Sequence, residues 1–151
     1  SLTSLRSVNE VNHFTHYTIA HAHLGVYSFF SMAMFGALYY LLPRLTGREW
    51  ASARLIKLHF WASAGGLALY WGPLTIGGWL QGLRMNNPDV PFLEIMTDTL
   101  PWLWGRTAAG TLMTLGHVVF AWLVVTMLRG SGGARPASFA AATSPIGEVK
   151  Q

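Results

Sequence analysis

Val11-Asn-His-Phe-Thr-His-Tyr-Thr-Ile-Ala-His-Ala-His-Leu-Gly25 carries four of the chain's six histidines, at positions 13, 16, 21 and 23. The pair His21-Ala22-His23 falls near the start of the first long apolar run. An imidazole in an apolar helix is costly unless it is hydrogen-bonded or ligating. Two of them, one residue apart, need separate explanations. At 3.6 residues per turn, positions i and i+2 differ by about 200° around the axis, so these side chains point to nearly opposite faces. Ligands of one shared ion would want a spacing of three or four residues on a common face. The pair therefore suits two centres, one on each side of the helix.

The run that holds the pair lacks Asp, Glu, Lys and Arg from Glu10 to Arg44, and the same is true from Lys57 to Arg84 and from Arg106 to Arg129. Each gap contains the roughly 20 apolar residues that a helix needs to cross a bilayer's hydrocarbon core. The expected spans are residues 18–42, 58–82 and 106–128. Of the 151 residues, 52% are hydrophobic and 11% charged. A soluble domain usually carries about 25% charged residues and a charged stripe on each surface helix. The fold class is therefore all-α, an integral membrane bundle. Pro43 should close the first span, Pro73 should kink the second, and Gly65-Gly66 and Gly77-Gly78 should allow close helix packing. A short surface helix is expected at Phe92–Thr97, and a disordered tail from 129 to 151, rich in Gly, Ala, Ser and Pro.

The net charge of +4 does not point to nucleic acid, because its distribution follows the spans. Arg44, Arg48, Arg54 and Lys57 crowd the first connection, and Arg129, Arg135 and Lys150 follow the third span. Cationic residues favour the cytoplasmic side, which places residues 43–57 and the C-terminus inside and residues 83–105 outside. Cysteine is absent, so thiolate ligands and disulfides are excluded. Nothing before the first span has a signal peptide's basic region and cleavage site. The chain reads as a segment of something longer.

Histidine is a usual axial ligand of haem iron, and two haems flanking one helix meet the demand of the His21–His23 pair. Structural hydrogen bonding is the plainer alternative. Ala20, Ala22 and Gly25 would leave room for flat macrocycles, Phe29, Phe30 and Met34 would offer apolar contacts, and Tyr17 and Thr18 hydrogen bonds. His117, in mid-span, is read as a structural hydrogen-bonding group in preference to a proton relay. His59 is read as reaching the inner interface. Arg106, opening the third span, suits either a propionate or interfacial anchoring. Glu94 and Asp98 read as solvated loop charges.

The run from Val11 to Gly25 resembles the tenth helix of the haem–copper oxidase superfamily, and its flanks look closest to the catalytic subunit of the cbb3-type cytochrome c oxidases. Similar stretches are Ala37-Leu-Tyr-Tyr-Leu-Leu-Pro-Arg44, Thr75-Ile-Gly-Gly-Trp-Leu-Gln-Gly82, and Arg106 with Gly110. The resemblance covers roughly residues 5–128. It implies three of about twelve transmembrane helices, the form in which a chain crosses lipid with its backbone satisfied. It implies that His21 is the proximal ligand of a high-spin haem b and His23 an axial ligand of a low-spin haem b. His13 matches a histidine of the family string and is expected at a haem propionate; His16 stands where the family often has an acid. Copper would be held by histidines on earlier helices, outside this chain. The implied activity is reduction of oxygen to water with electrons from cytochrome c, coupled to proton translocation. The expected setting is a bacterial inner membrane, beside the subunit's remaining helices and c-type cytochrome subunits or soluble cytochrome c. Alternatives are a nitric oxide reductase catalytic subunit and a membrane haem protein that only transfers electrons.

Overall fold

The computed structural model describes residues 2–133, and the stretch beyond them, including most of the expected tail, lies outside the described residues. A short helix α1 (Arg6–Asn12) leads through a tight turn into α2 (His16–His23). Phe14, at the turn, adopts a left-handed backbone with φ 61°, a conformation uncommon for a bulky residue. Thr15 caps α2 by accepting from the Tyr17 amide, and its hydroxyl donates to the Asn12 carbonyl at 2.8 Å. The Thr18 hydroxyl donates to the same carbonyl at 2.9 Å. These bonds tie the break between the helices, so Thr18 has a local structural partner.

From His16 to Thr46 the helix is unbroken over 31 residues. Its middle, Leu24–Ser31, is π-helical, and α3 (Met32–Thr46) completes it. The helix passes through Pro43 and ends three residues later at Thr46, capped by Gly47, whose φ of 64° is left-handed. Proline removes only one backbone bond, and a left-handed glycine is the more decisive stop. Ser52 caps α4 (Ala53–Met85), which runs back antiparallel with Pro73 inside it. After the turn at 86–91, α5 (Phe92–Leu128) runs for 37 residues as one helix. No separate surface helix forms at Phe92–Thr97: α5 continues through Pro101 because the ring costs one bond while the flanking turns remain helical. At 1.5 Å per residue α5 is about 55 Å long, longer than a ~30 Å hydrocarbon core.

The stretches 18–42, 58–82 and 106–128 each fall within one of these long helices. Two helical runs, His16–Thr46 and Phe92–Leu128, are both long and apolar enough to cross a membrane. The helix α4 is long enough, but His59, Ser63, Thr75 and Gln81 make it more polar, and the first three contribute buried side-chain atoms without a hydrogen-bond partner or lie fully inside the bundle. Among the described residues there is no strand. Much of the apolar surface faces outward: Phe29 is 69% exposed, Val118 61% and Trp122 57%. Such a surface needs lipid or further helices to cover it.

The packing inside the bundle depends on small residues. A Cβ at Gly78 would run into the backbone of His16 and Tyr17, and one at Gly82 into the Val11 carbonyl. The entry to α2 is thus seated backbone-to-backbone on α4, which only glycine permits. The His16 amide donates to Gln81 Oε1 at 3.0 Å and fixes the same junction. Ala20 is fully buried there, so it serves helix packing and leaves no open room for a ligand. At the other end, Trp50 Nε1 donates to the Tyr39 carbonyl at 3.0 Å. Residues 129–133 turn back toward the same connection, where Arg48 donates to the Leu128 carbonyl and the Glu49 amide to Gly133 O.

Candidate functional site

The helix around His21 and His23 is regular α, since the π-helical segment begins only at Leu24. The near-opposite projection expected from their spacing therefore applies locally. Their surroundings differ. The His23 ring lies 5.0 Å from that of Tyr70 on α4. It borders a cavity of about 220 Å³ lined also by Tyr27, Leu67, Gly110, Met113 and His117. The His21 ring is parallel to that of Tyr17, one turn earlier on its own helix, at 6.4 Å and 4°. Both imidazoles are exposed.

His23 Nδ1 is 2.9 Å from the Ile19 carbonyl oxygen. A carbonyl only accepts, so Nδ1 carries the proton, and in the neutral ring the lone pair is left on Nε2. A backbone carbonyl that holds one ring nitrogen while the other is free is the usual arrangement of a metal-ligating histidine. A Cβ at Gly25 would meet open space, and Ala22 is exposed. The residues present therefore fit a flat iron porphyrin on exposed helix faces. Phe29 and Met34, below the pair, are also largely exposed and offer apolar surface to whatever covers them.

Arg106, half-buried on α5, interacts electrostatically with His16 at the start of α2. His13 is exposed and packs edge-on against Phe14, with ring centroids 4.0 Å apart. The structure thus brings Arg106 to His16, whereas His13 faces outward from the left-handed turn. Among the described residues no group of three or more His, Cys, Asp or Glu side chains could hold a metal ion.

Three features were not anticipated from the sequence. His59 does not reach an interface: it is 1% exposed, and Tyr39 Oη lies 2.7 Å from its Nδ1. Apolar flanks hid this, since the tyrosine partner sits 20 positions away. His117 is joined to the Tyr27 hydroxyl at 2.9 Å, the structural bond expected for it, though its partner was not foreseen. Arg84 pairs with both Glu94 and Asp98, one turn apart on α5, so these carboxylates are bridged to α4 and are not simply solvated.

Comparison with known proteins shows the family. Residues 1–112 match the family model for Cytochrome C and Quinol oxidase polypeptide I. A cytochrome c oxidase subunit 1 of Rhodobacter capsulatus is 32% identical over 128 residues, covering 80% of this chain and 24% of the relative. The Cbb3-type cytochrome c oxidase subunit CcoN1 of Stutzerimonas stutzeri is 33% identical over 148 residues, 93% of this chain and 31% of the relative. A cytochrome c oxidase polypeptide 1 of Halobacterium salinarum is 36% identical over 120 residues, 76% and 19% respectively. The chain spans less than a third of the length of each. With a family match over most of its residues and a bundle of long apolar helices, the chain belongs to the cytochrome c and quinol oxidase polypeptide I family.

Proposed function

We propose that this chain forms the C-terminal part of a cbb3-type oxidase catalytic subunit, contributing three membrane spans, 18–42, 58–82 and 106–128, and both haem-ligating histidines of one helix. In this reading the protein reduces oxygen to water with electrons from cytochrome c and moves protons across a bacterial inner membrane. The observation that carries it is His23 Nδ1 held by the Ile19 carbonyl, two residues from a second exposed imidazole on the same α-helical turn, a spacing that sends the two to nearly opposite faces. Relatives named as cytochrome c oxidases favour oxygen over nitric oxide as the acceptor.

His21 would hold a high-spin haem b and His23 a low-spin one; bound there, the two iron porphyrins supply electron transfer and the oxygen-binding iron. The residues of this chain orient and insulate them. Ile19 fixes the His23 ring and its tautomer, which sets ligand basicity. Tyr17 lies parallel to His21, with ring centroids 6.4 Å apart. Arg106 and His13, at the outer end, would face propionates. Copper would be ligated by residues of the rest of the subunit. The basic connection at 43–57 and the C-terminus would lie on the cytoplasmic side, where cationic residues favour, and c-type cytochromes would dock outside.

The test is an optical redox spectrum, with and without carbon monoxide, of the membrane complex that contains this chain. His21→Ala should remove the carbon-monoxide-sensitive high-spin signal and spare the low-spin bands, and His23→Ala should do the reverse. Loss of one common signal in both variants would refute the division of roles.

A further inference from the structure

A second set of polar side chains lies inside the bundle, away from the exposed histidine pair. Tyr27 on the π-helical segment bonds to His117 of α5, with the hydroxyl 2.9 Å from Nε2. Tyr39 of α3 bonds to His59 of α4, with the hydroxyl 2.7 Å from Nδ1. The two imidazole centroids are 5.8 Å apart at 67°. Ser63 follows His59 by one helical turn and is fully buried, as His59 nearly is.

His59 Nε2 and Ser63 Oγ have no hydrogen-bond partner among the described residues. The Tyr27 hydroxyl approaches Ser63 without reaching hydrogen-bond geometry. A buried polar atom left unpaired costs about 1–3 kcal/mol. Two such atoms at i and i+4 on one helix lie side by side, so a single small partner satisfies both. The walls favour a compact guest: the Phe35 ring is 4.6 Å from that of His59 and 5.3 Å from that of His117, and Phe120 is 5.1 Å from His59. Gly116 of α5 faces the same point, where an added Cβ would sit 3.6 Å from Ser63 Oγ. A hydroxyl, a phenol and an imidazole nitrogen are the two to four polar partners that a buried water takes, and they are too few and too neutral for a metal ion.

Each end of this set opens on a cavity. The one bordered by Tyr27 and His117 is the cavity of about 220 Å³ that His23 also lines. The other, of about 170 Å³, is lined by Tyr39, His59, Phe35 and Phe60. We propose that an internal water bridges His59 Nε2, Ser63 Oγ and the Tyr27 hydroxyl, and joins the two Tyr–His pairs into one proton relay between these cavities. A proton passed to one imidazole nitrogen leaves from the other, each hydroxyl accepts one proton as it releases one, and no electrons move. The relay's use in coupling rests on the proposed oxidase function; the water site does not.

The test uses the whole membrane complex containing this chain. Density from electron cryo-microscopy should show a water within hydrogen-bond distance of His59 Nε2 and Ser63 Oγ; a dry site overturns the proposal. Ser63→Val and Ser63→Thr add the same methyl group, and only the threonine keeps a hydroxyl. Proton flux into liposomes holding the complex, driven by a potassium–valinomycin potential, should fall at least tenfold with valine and stay near the original rate with threonine, at equal haem content. Equal flux in the two variants overturns the relay, and Ser63→Ala is judged the same way if the valine complex fails to assemble. If oxygen is not reduced but the water and the valine–threonine difference are both found, the oxidase reading fails and the relay stands.

Discussion

The Tyr27 hydroxyl and His117 Nε2 meet at 2.9 Å although 90 positions separate them in the chain. This bond fastens the π-helical middle of the first long helix to the middle of α5, bridging the elements that flank α4. Removing it with Tyr27→Phe leaves His117 Nε2 without its partner. Interhelical bonds in membranes are worth about 0.6 kcal/mol on average, and an orphaned buried group costs more. The expected loss is about 1–2 kcal/mol, read as a lower midpoint in thermal denaturation of the complex. An unchanged midpoint would show that the bond does not fasten the two helices.

Gly78 and Gly82 should be intolerant of a methyl group, because a Cβ at either meets the backbone of the chain entering α2. Overpacking of this kind costs about 1–3 kcal/mol. Gly78→Ala and Gly82→Ala should therefore reduce haem retention, since the seat of the His21–His23 turn shifts. Gly65→Ala and Gly72→Ala face open space and should be neutral or stabilising by up to about 1 kcal/mol. Four variants with equal haem content would contradict the backbone-contact account.

Arg84→Gln frees Glu94 and Asp98, side chains that are 56% and 49% exposed. Exposed pairs contribute about 0–1 kcal/mol, so the stability change should be small. It should vanish near 1 M salt, where the screening length is about 3 Å. A larger, salt-independent loss in the assembled complex would mean that neighbouring helices bury this cluster.

Arg106→Gln removes a positive charge from the outer end of the bundle, beside His16. If Arg106 faces a haem propionate, losing that charge favours the oxidised iron, so the midpoint potential should fall. A shift on the order of 60 mV corresponds to a tenfold change in a one-electron equilibrium. Potentiometric titration of the haem bands measures it, and potentials identical to those of the unmodified complex would reduce Arg106 to an interfacial anchor.

The helices of the bundle were legible because charge-free runs between Glu10 and Arg44, Lys57 and Arg84, and Arg106 and Arg129 leave lipid or protein as the only surroundings. The His21–His23 pair was legible because spacing alone sets their relative direction. Other features escaped for physical reasons. A separate short helix was expected at Phe92–Thr97, yet the single amide missing at Pro101 does not stop a 37-residue helix. The burial of His59 depends on Tyr39 and Phe35 arriving from another helix, and no local pattern encodes that. The π-helical turns at Leu24–Ser31 are rare in any helix and have no propensity signature.

Those wider turns let each end of the first long helix be aimed on its own. Above them the rod presents His21 and His23; below them it presents Phe35 and Tyr39 to α4 and α5. Dropping one residue between Leu24 and Ser31 would restore a tighter winding and swivel one half against the other, so the interior pairings and the pair of outer imidazoles could no longer both be served. The segment works as a coupling collar, and its length is the property that cannot change.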